Sequence, residues 1–104
     1  MILPKRRDVI ITQVALDDLT EIAAYVALDS RTRADRLIDE LERKSLELGE
    51  RPLIWPLLAD PRNIAFRRRL HVGYLIVYLV SDDQVEIIRI IHSARDYPSL
   101  LFPE

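Results

Sequence analysis

The spacing of apolar residues changes once along this 104-residue chain, and that change restricts the folds open to it. Between residues 13 and 48, apolar side chains recur every three or four positions, which is the period of an α-helix. Between residues 64 and 92 they recur at every second position, which is the period of a β-strand. This order of periods predicts an α+β fold, in which helices pack against a sheet.

Two helices are predicted, over about residues 13–28 and 31–48. The first has an apolar stripe at helical spacing, formed by Leu16, Leu19, Ile22, Ala23 and Val26. Thr12 is a suitable N-cap for this helix, and Gly49 is a suitable C-cap for the second. Because only Asp29-Ser30 separates the two helices, they should form an antiparallel hairpin.

The four predicted strands cover residues 9–12, 64–72, 74–80 and 84–92. Residues 50–63 contain three prolines and are expected to form an irregular loop, which Trp55 attaches to the core. The predicted order is therefore β-α-α-β-β-β. It describes an antiparallel helical hairpin on one face of a four-stranded, mainly antiparallel sheet, with the chain 1–104 forming a single domain.

Composition excludes several classes of function. The absence of cysteine excludes disulfides, thiolate metal sites and cysteine nucleophiles. No histidine pair has metal-ligand spacing and no glycine-rich phosphate loop occurs, so neither a metal nor a cofactor is expected. The net charge of −2 predicts no global attraction to nucleic acid. The apolar run 74–80 is far shorter than the roughly 20 residues that cross a bilayer, and no signal peptide is evident, so we expect a cytoplasmic protein without a membrane partner.

Alternation along residues 64–72 separates their side chains into two sets. One set is mainly apolar and is assigned to the core: Ile64, Phe66, Arg68, Leu70 and Val72. The other is a basic stripe, assigned to the sheet face that the helices leave uncovered: Ala65, Arg67, Arg69 and His71. The alternative for the three consecutive arginines is a solvated edge strand. Tyr74 and Tyr78 share a face and are candidates to stack a base near this stripe, although ordinary packing is the simpler interpretation.

Arg89 lies within an apolar run, Ile-Ile-Arg-Ile-Ile, at residues 87–91. Burying its charge is costly unless a carboxylate or another anion meets it. One interpretation is a structural ion pair, for which the candidate partners are Glu86, Asp83 and Asp96. The other is a site for an anion or for a partner's carboxylate, formed together with Arg67 and Arg69.

The two histidines are predicted to have different surroundings. His71 adjoins a turn and is expected to be exposed, whereas His92 is more typical of a packed or hydrogen-bonded histidine than of a catalyst. In a regular strand Arg89 and His92 lie on opposite faces, and a bulge near Ile91 would change this.

Four stretches of the sequence together resemble a known family. The first helix contains Ala15-x-x-Asp18-Leu19-x-x-Ile22-x-x-Tyr25-Val26 and the second Ala34-x-x-x-Ile38-x-x-Leu41. After an arginine-rich strand come Tyr74-x-Ile76-x-Tyr78 and then, as the most specific part, Arg89-Ile90-Ile91-His92-x-x-Arg95-Asp96. Over about residues 8–97 this pattern resembles the ParE/RelE superfamily of toxins from bacterial type II toxin–antitoxin systems, and the ParE branch in particular.

The resemblance implies a toxin of the bacterial cytoplasm with a cognate antitoxin as its partner in a hetero-oligomer. ParE toxins act on DNA gyrase, whereas RelE-type members cut mRNA in the ribosomal A site. The negative net charge and a tail that offers only Tyr97 after Asp96 favour a ParE-like gyrase inhibitor that acts by binding. The alternatives are a ribosome-dependent mRNA endonuclease and an inactive member that retains only antitoxin binding.

The expected contacts with the antitoxin or the target come from a set of basic and aromatic residues. These are Arg67, Arg69, His71, Tyr74, Tyr78, Arg89 and Arg95. In the endonuclease alternative, the arginines at 67, 69 and 89 hold phosphate, and His92 or Tyr97 transfers a proton. Arg89→Ala is expected to weaken antitoxin binding or toxicity more than Arg68→Ala.

Overall fold

The computed structural model describes residues 5–95 and Leu101. In chain order the elements are β1 (Asp8–Ile11), α1 (Gln13–Ala27), α2 (Arg31–Glu47), a single 3₁₀ turn (Pro52–Ile54), β2 (Arg67–His71), β3 (Tyr74–Val80) and β4 (Gln84–His92). The predicted order β-α-α-β-β-β is confirmed. None of the helices in the described ranges has the length and apolarity needed to cross a membrane.

Both helices begin where a hydroxyl side chain caps them. The Thr12 hydroxyl accepts a hydrogen bond from the Ala15 amide, and the Ser30 hydroxyl accepts one from the Arg33 amide. The predicted cap at the other end of α2 is wrong, because Leu48 is the C-cap. Gly49 is needed for a different reason: a Cβ there would lie 2.5 Å from the Arg7 carbonyl oxygen, where the chain that leads into β1 passes.

The strands are arranged in the order β1-β4-β3-β2, so the first strand lies beside the last. β1 runs parallel to β4, and the two other pairs are antiparallel. The register shifts between Val77, which pairs with Arg89, and Tyr78, which pairs with Ile87. Ile88 is therefore the extra residue of a β-bulge, which lies earlier in β4 than the predicted position near Ile91.

The sheet has a hydrophobic core on each face. The core under the helices contains Ala15, Leu19, Leu41, Leu48, Ile76, Tyr78, Val85, Ile87 and Ile90. The core on the opposite face contains Leu58, Phe66, Leu75, Val77, Ile91 and Leu101. The prediction that this second face is bare is wrong, because the loop before β2 folds back over it. The Leu58 amide donates to the Phe66 carbonyl oxygen over 2.7 Å, which holds the loop in place.

Candidate functional site

The side chains of Arg67, Arg69 and His71 in β2 lie on the side of the sheet that the helices cover. The Arg69 Nη1 donates to the Lys44 carbonyl oxygen at the end of α2 over 3.0 Å, and the His71 Nε2 lies 2.6 Å from the Glu40 Oε1. Their assignment to an uncovered face is wrong, because the acceptors that these cations need belong to α2. His71 is half-buried rather than exposed.

Three residues singled out in the sequence hold the segment 52–57, which we call the 52–57 loop. The Arg67 Nη1 donates to the Trp55 carbonyl oxygen over 2.6 Å and to the Leu53 carbonyl oxygen over 3.4 Å. The Tyr78 hydroxyl donates to the Pro52 carbonyl oxygen over 2.6 Å. Arg69 stacks on Trp55, with its guanidinium carbon 4.7 Å from the ring centroid. Trp55 packs against the core under the helices, as predicted.

Tyr78 is fully buried, so its ring is not available to stack a base in this structure. Burial destabilises the phenolate and raises the pKa of Tyr78 to about 12, although the positive charges of Arg67 and Arg69 oppose this. The phenol therefore stays protonated and serves as a hydrogen-bond donor to the loop. Tyr74, on the same face of β3, is half-buried and packs at the margin of the core.

Glu47 is the carboxylate that pairs with the cations beside β2. Its carboxylate lies 3.4 Å from the Arg69 Nη2 and 3.4 Å from the Lys44 Nζ. Desolvation opposes ionisation of Glu47, but the two cations together outweigh it, and the pKa of Glu47 is lowered. This end of α2 is thus an ion-pair network.

Arg89 makes a bidentate ion pair with Asp18 of α1. The Arg89 Nε donates to the Asp18 Oδ2 over 2.8 Å and its Nη2 to Oδ1 over 2.9 Å, while the Ile90 amide also donates to Oδ2 over 2.9 Å. The hydrogen bonds between Arg89 and Asp18 raise the pKa of Arg89, although its burial acts in the opposite direction. The expectation of an ion pair is correct in kind, but the partner is Asp18 rather than Glu86 or Asp83. The third candidate partner, Asp96, lies outside the described residues.

The arginines of β2 and β4 do not converge. Arg67 and Arg69 are directed to the 52–57 loop and to α2, whereas Arg89 is directed to α1. The predicted common cluster of guanidinium groups is therefore wrong, because the acceptors of Arg67 and Arg69 lie in the 52–57 loop and α2, whereas the acceptor of Arg89 lies in α1. The role of each arginine in binding stays a prediction.

A cavity of about 400 Å³ lies between α1 and the ends of β3 and β4. Three predicted site residues, Tyr74, His92 and Arg95, line it together with Tyr25 of α1, and the Tyr74 and His92 rings meet edge to face at 5.1 Å. His92 is exposed rather than packed, but it is hydrogen-bonded as expected, because its Nδ1 accepts from the Ala94 amide. A second cavity of about 450 Å³ on the α2 side is also lined by Tyr74 and His92.

The part that α1 plays in this region was not predicted from the sequence. Asp18 and Glu21 line the first cavity, and Arg95 lies 3.7 Å from Glu21 in an exposed ion pair. Asp18 could have been found, since it lies within the apolar stripe of α1, where a carboxylate requires a cation. Tyr97 lies outside the described residues. Within the described ranges, no group of three or more acidic or histidine side chains has a geometry suited to a metal ion.

Comparison with known proteins agrees with this fold. Residues 9–97 match the family model described as "ParE toxin of type II toxin-antitoxin system, parDE". A search of curated proteins finds no match. The chain is similar to a solved structure described as "Chromosomal ParDE TA system from P. aeruginosa", with a TM-score of 0.71 and 17% identity over 86% of this chain and 98% of that one. At that identity the likeness shows a shared fold. Because the family model covers most of the chain, this protein belongs to the ParE toxin family of type II toxin–antitoxin systems.

Proposed function

We propose that this toxin arrests bacterial growth by binding DNA gyrase, without chemistry of its own, and that a cognate antitoxin neutralises it. Family membership supports a toxin. The observation that carries the choice of mechanism is that the three arginines considered for RNA cleavage, at positions 67, 69 and 89, are held by acceptors within the chain.

Metal-free RNA cleavage requires cations that hold the phosphate and a group that takes the proton of the 2′-hydroxyl. Arg89 is engaged by both oxygens of Asp18, so its Nε and Nη2 donors are directed towards α1. Arg67 donates to the Leu53 and Trp55 carbonyl oxygens of the 52–57 loop, whereas Arg89 is paired with α1. With a net charge of −2, the chain also lacks the overall basicity that attracts RNA. These features favour inhibition by binding over cleavage.

An antitoxin partner is expected because the family consists of paired systems, and because the similar structure from P. aeruginosa is described as a ParDE system. The two cavities that flank Tyr74 and His92 are concave and partly apolar, as a site for a segment of a partner protein requires. We expect the toxin and antitoxin to form a hetero-oligomer in the cytoplasm.

The mechanism is tested by adding purified toxin to gyrase and measuring supercoiling and the accumulation of cleaved DNA. The expected result is inhibition that disappears when the protein encoded beside the toxin gene is added first. Unaffected gyrase at toxin doses that arrest growth would contradict the proposal. Ribosome-dependent cuts seen by primer extension on a translated message would instead support the mRNA endonuclease.

A further inference from the structure

The second cavity, of about 450 Å³, lies between α2 and the turn that joins β2 to β3. We propose that it binds a segment of the cognate antitoxin that carries a carboxylate beside an aliphatic side chain. Arg36 pairs with the carboxylate, Val72 packs against the aliphatic side chain, and His92 donates a hydrogen bond. This proposal rests on the antitoxin partner proposed above and does not depend on the gyrase mechanism.

The turn between β2 and β3 contains a residue that is unfavourable for folding. Val72 and Gly73 lie between the paired residues His71 and Tyr74, and their φ angles are positive, at 43° and 87°. Two positive φ angles are typical of a type I′ hairpin turn, which favours Asn-Gly. A β-branched side chain is strained at positive φ. Among the residues that the structure describes, the only other non-glycine residue with positive φ is Asn63, which suits that conformation.

The Val72 side chain lies where a partner can contact it. It is 60% exposed and lines the second cavity together with two further aliphatic side chains, those of Val26 and Leu37. Strained residues are found preferentially at binding sites, where stability is exchanged for function. An exposed valine at a position that favours asparagine therefore indicates a contact that folding itself does not require.

The charged side chains that line the second cavity leave one guanidinium without a partner. Arg33 is paired with Asp29 over 2.6 Å, and the Glu40 Oε1 lies 2.6 Å from the His71 Nε2. Arg36 is exposed and makes no hydrogen bond or ion pair with any residue that the structure describes. A guanidinium binds a carboxylate through two parallel hydrogen bonds. The charge left for a ligand is thus positive, and a carboxylate complements it.

His92 adds a hydrogen-bond donor to the same cavity. Its Nδ1 accepts from the Ala94 amide over 3.0 Å, so Nδ1 carries no proton and the ring is protonated at Nε2. The Nε2 lies beside Gly73 in the turn and has no acceptor within residues 5–95 or at Leu101. It can therefore donate to a carboxylate or to a backbone carbonyl oxygen of a bound segment.

The surroundings of the cavity favour a protein segment over a nucleic acid. The aliphatic lining suits an apolar side chain, while the adjoining first cavity contains the carboxylates of Asp18 and Glu21, which repel phosphate. Both cavities are lined by Tyr74 and His92, so an extended segment can continue from one into the other. In a paired system the antitoxin must bind the toxin tightly. We therefore assign the second cavity to the antitoxin.

The carboxylate contact is tested with Arg36→Glu and the control Arg43→Glu, using the protein encoded beside the toxin gene as the probe. Arg43 is also exposed on α2, has no partner in the described part of the chain, and is not among the described residues that line either cavity. Calorimetric titration should give a Kd about a hundredfold higher for Arg36→Glu and at most about twofold higher for the control.

A charge exchange tests the same contact from the other side. Each aspartate and glutamate of the probe protein is replaced by lysine in turn, and the variants are titrated against Arg36→Glu. One of them should restore binding to within about tenfold of the wild-type Kd, because its ammonium meets the new carboxylate. If none restores binding, the carboxylate contact is overturned.

The role of Val72 is tested with Val72→Asn, which should change stability and binding in opposite directions. Asparagine suits positive φ, so the urea midpoint should rise, whereas the Kd for the probe protein should increase about tenfold. The control is Val14→Asn, which removes a valine of similar exposure, 52%, from outside both cavities, and it should leave the Kd unchanged. If Val72→Asn binds as wild type does, or is less stable, the role of Val72 is overturned.

The outcomes separate this site from the function on which it rests. If wild type does not bind the probe protein, the antitoxin partner and the site both fail. If wild type binds and Arg36→Glu binds equally well, only the site fails. If Arg36→Glu loses growth arrest and keeps its affinity for the probe, the cavity binds the target instead. A toxin dimer that Arg36→Glu dissociates, seen by size-exclusion chromatography, would assign the cavity to a second copy and overturn the proposal.

Discussion

Arg89 of β4 and Arg67 of β2 both make contacts within the chain, but their partners differ. Arg89 faces a carboxylate, Asp18, that also accepts from the Ile90 amide, so both charges are neutralised where α1 crosses β4. Arg67 donates to backbone carbonyl oxygens of the 52–57 loop, which are neutral. The first contact joins a helix to a strand, and the second holds a surface loop.

This difference indicates what each site contributes. Removing one member of a half-buried ion pair leaves an uncompensated charge, so the β4 site should affect the stability of the whole domain. Removing a donor from a backbone carbonyl near the surface leaves an acceptor that water can reach, so the β2 site should affect the loop alone. The four predictions below test this contrast, from the largest expected effect to the smallest.

Asp18→Ala should cause the largest loss of stability. It leaves the Arg89 charge without its carboxylate partner and the Ile90 amide without its acceptor. The side chains of Arg89 and Asp18 are 20% and 9% exposed, so we expect a loss of about 3–5 kcal/mol in the free energy of unfolding, measured in urea. The matched control is Asp29→Ala, which breaks the exposed pair with Arg33 and should cost under about 1 kcal/mol. Equal losses for the two variants would remove the contrast.

Tyr78 should make the β2 side of the molecule sensitive to alkaline pH. Its pKa is about 12 in the folded chain and about 10 when unfolded. Below pH 10 both states hold the proton. Between pH 10 and pH 12 only the unfolded state loses it, so stability falls as pH rises, by up to about 3 kcal/mol.

The measurement for Tyr78 is the free energy of unfolding of wild type minus that of Tyr78→Phe across this range. At neutral pH the variant should be about 1 kcal/mol less stable, because the hydrogen bond to Pro52 is lost. The difference should shrink and then reverse at high pH. A difference that does not vary with pH would show that the phenol is not protected by burial.

Arg67→Met should cost about 1 kcal/mol and should loosen the 52–57 loop while α1 and β4 stay protected. Hydrogen exchange of individual amides reports both regions in one experiment. Arg68→Met is the control, since Arg68 is directed to the other face of β2. A uniform rise in exchange over the whole domain would place Arg67 with Arg89 as a determinant of the fold.

Arg95→Ala should have the smallest effect, under about 0.5 kcal/mol, although Arg95 lies near the Asp18–Arg89 pair. Its distance to Glu21 is 3.7 Å and both side chains are more than half exposed, so solvent screens the pair. Urea unfolding at low and high salt measures the effect. A loss as large as that of Asp18→Ala would mean that exposure does not separate the two ion pairs.

Much of the fold could be predicted from the sequence, because helical spacing and strand alternation report local structure directly. The two helices end within a residue of their predicted bounds, and β3 and β4 match their predicted ranges. β2 is shorter than predicted and begins at Arg67, because residues 58–66 turn to pack Phe66 on the second face.

The sequence could not predict which face of each strand is turned towards the helices. Alternation separates the Arg67 set from the Phe66 set, but it does not tell which set faces the helices. That choice depended on acceptors distant in sequence, such as the Lys44 carbonyl oxygen and the 52–57 loop. The bulge at Ile88 also reverses the alternation of side chains between the two faces of β4 beyond that residue, and no local pattern indicated this. The site was therefore predicted as a set of residue types, and its geometry was not.

The parallel pairing of β1 with β4 has a consequence for how the toxin is made. Asp8–Ile11 pairs with Gln84–Ile87, so the central sheet closes only between two segments separated by most of the chain. Contacts of such long sequence separation form late, because the intervening chain must first lose its freedom. While the ribosome is still synthesising β3, β1 has no neighbour and the core under the helices is incomplete. The sheet can therefore close only after β4 has been synthesised, and until then β1 is without the strand that pairs with it.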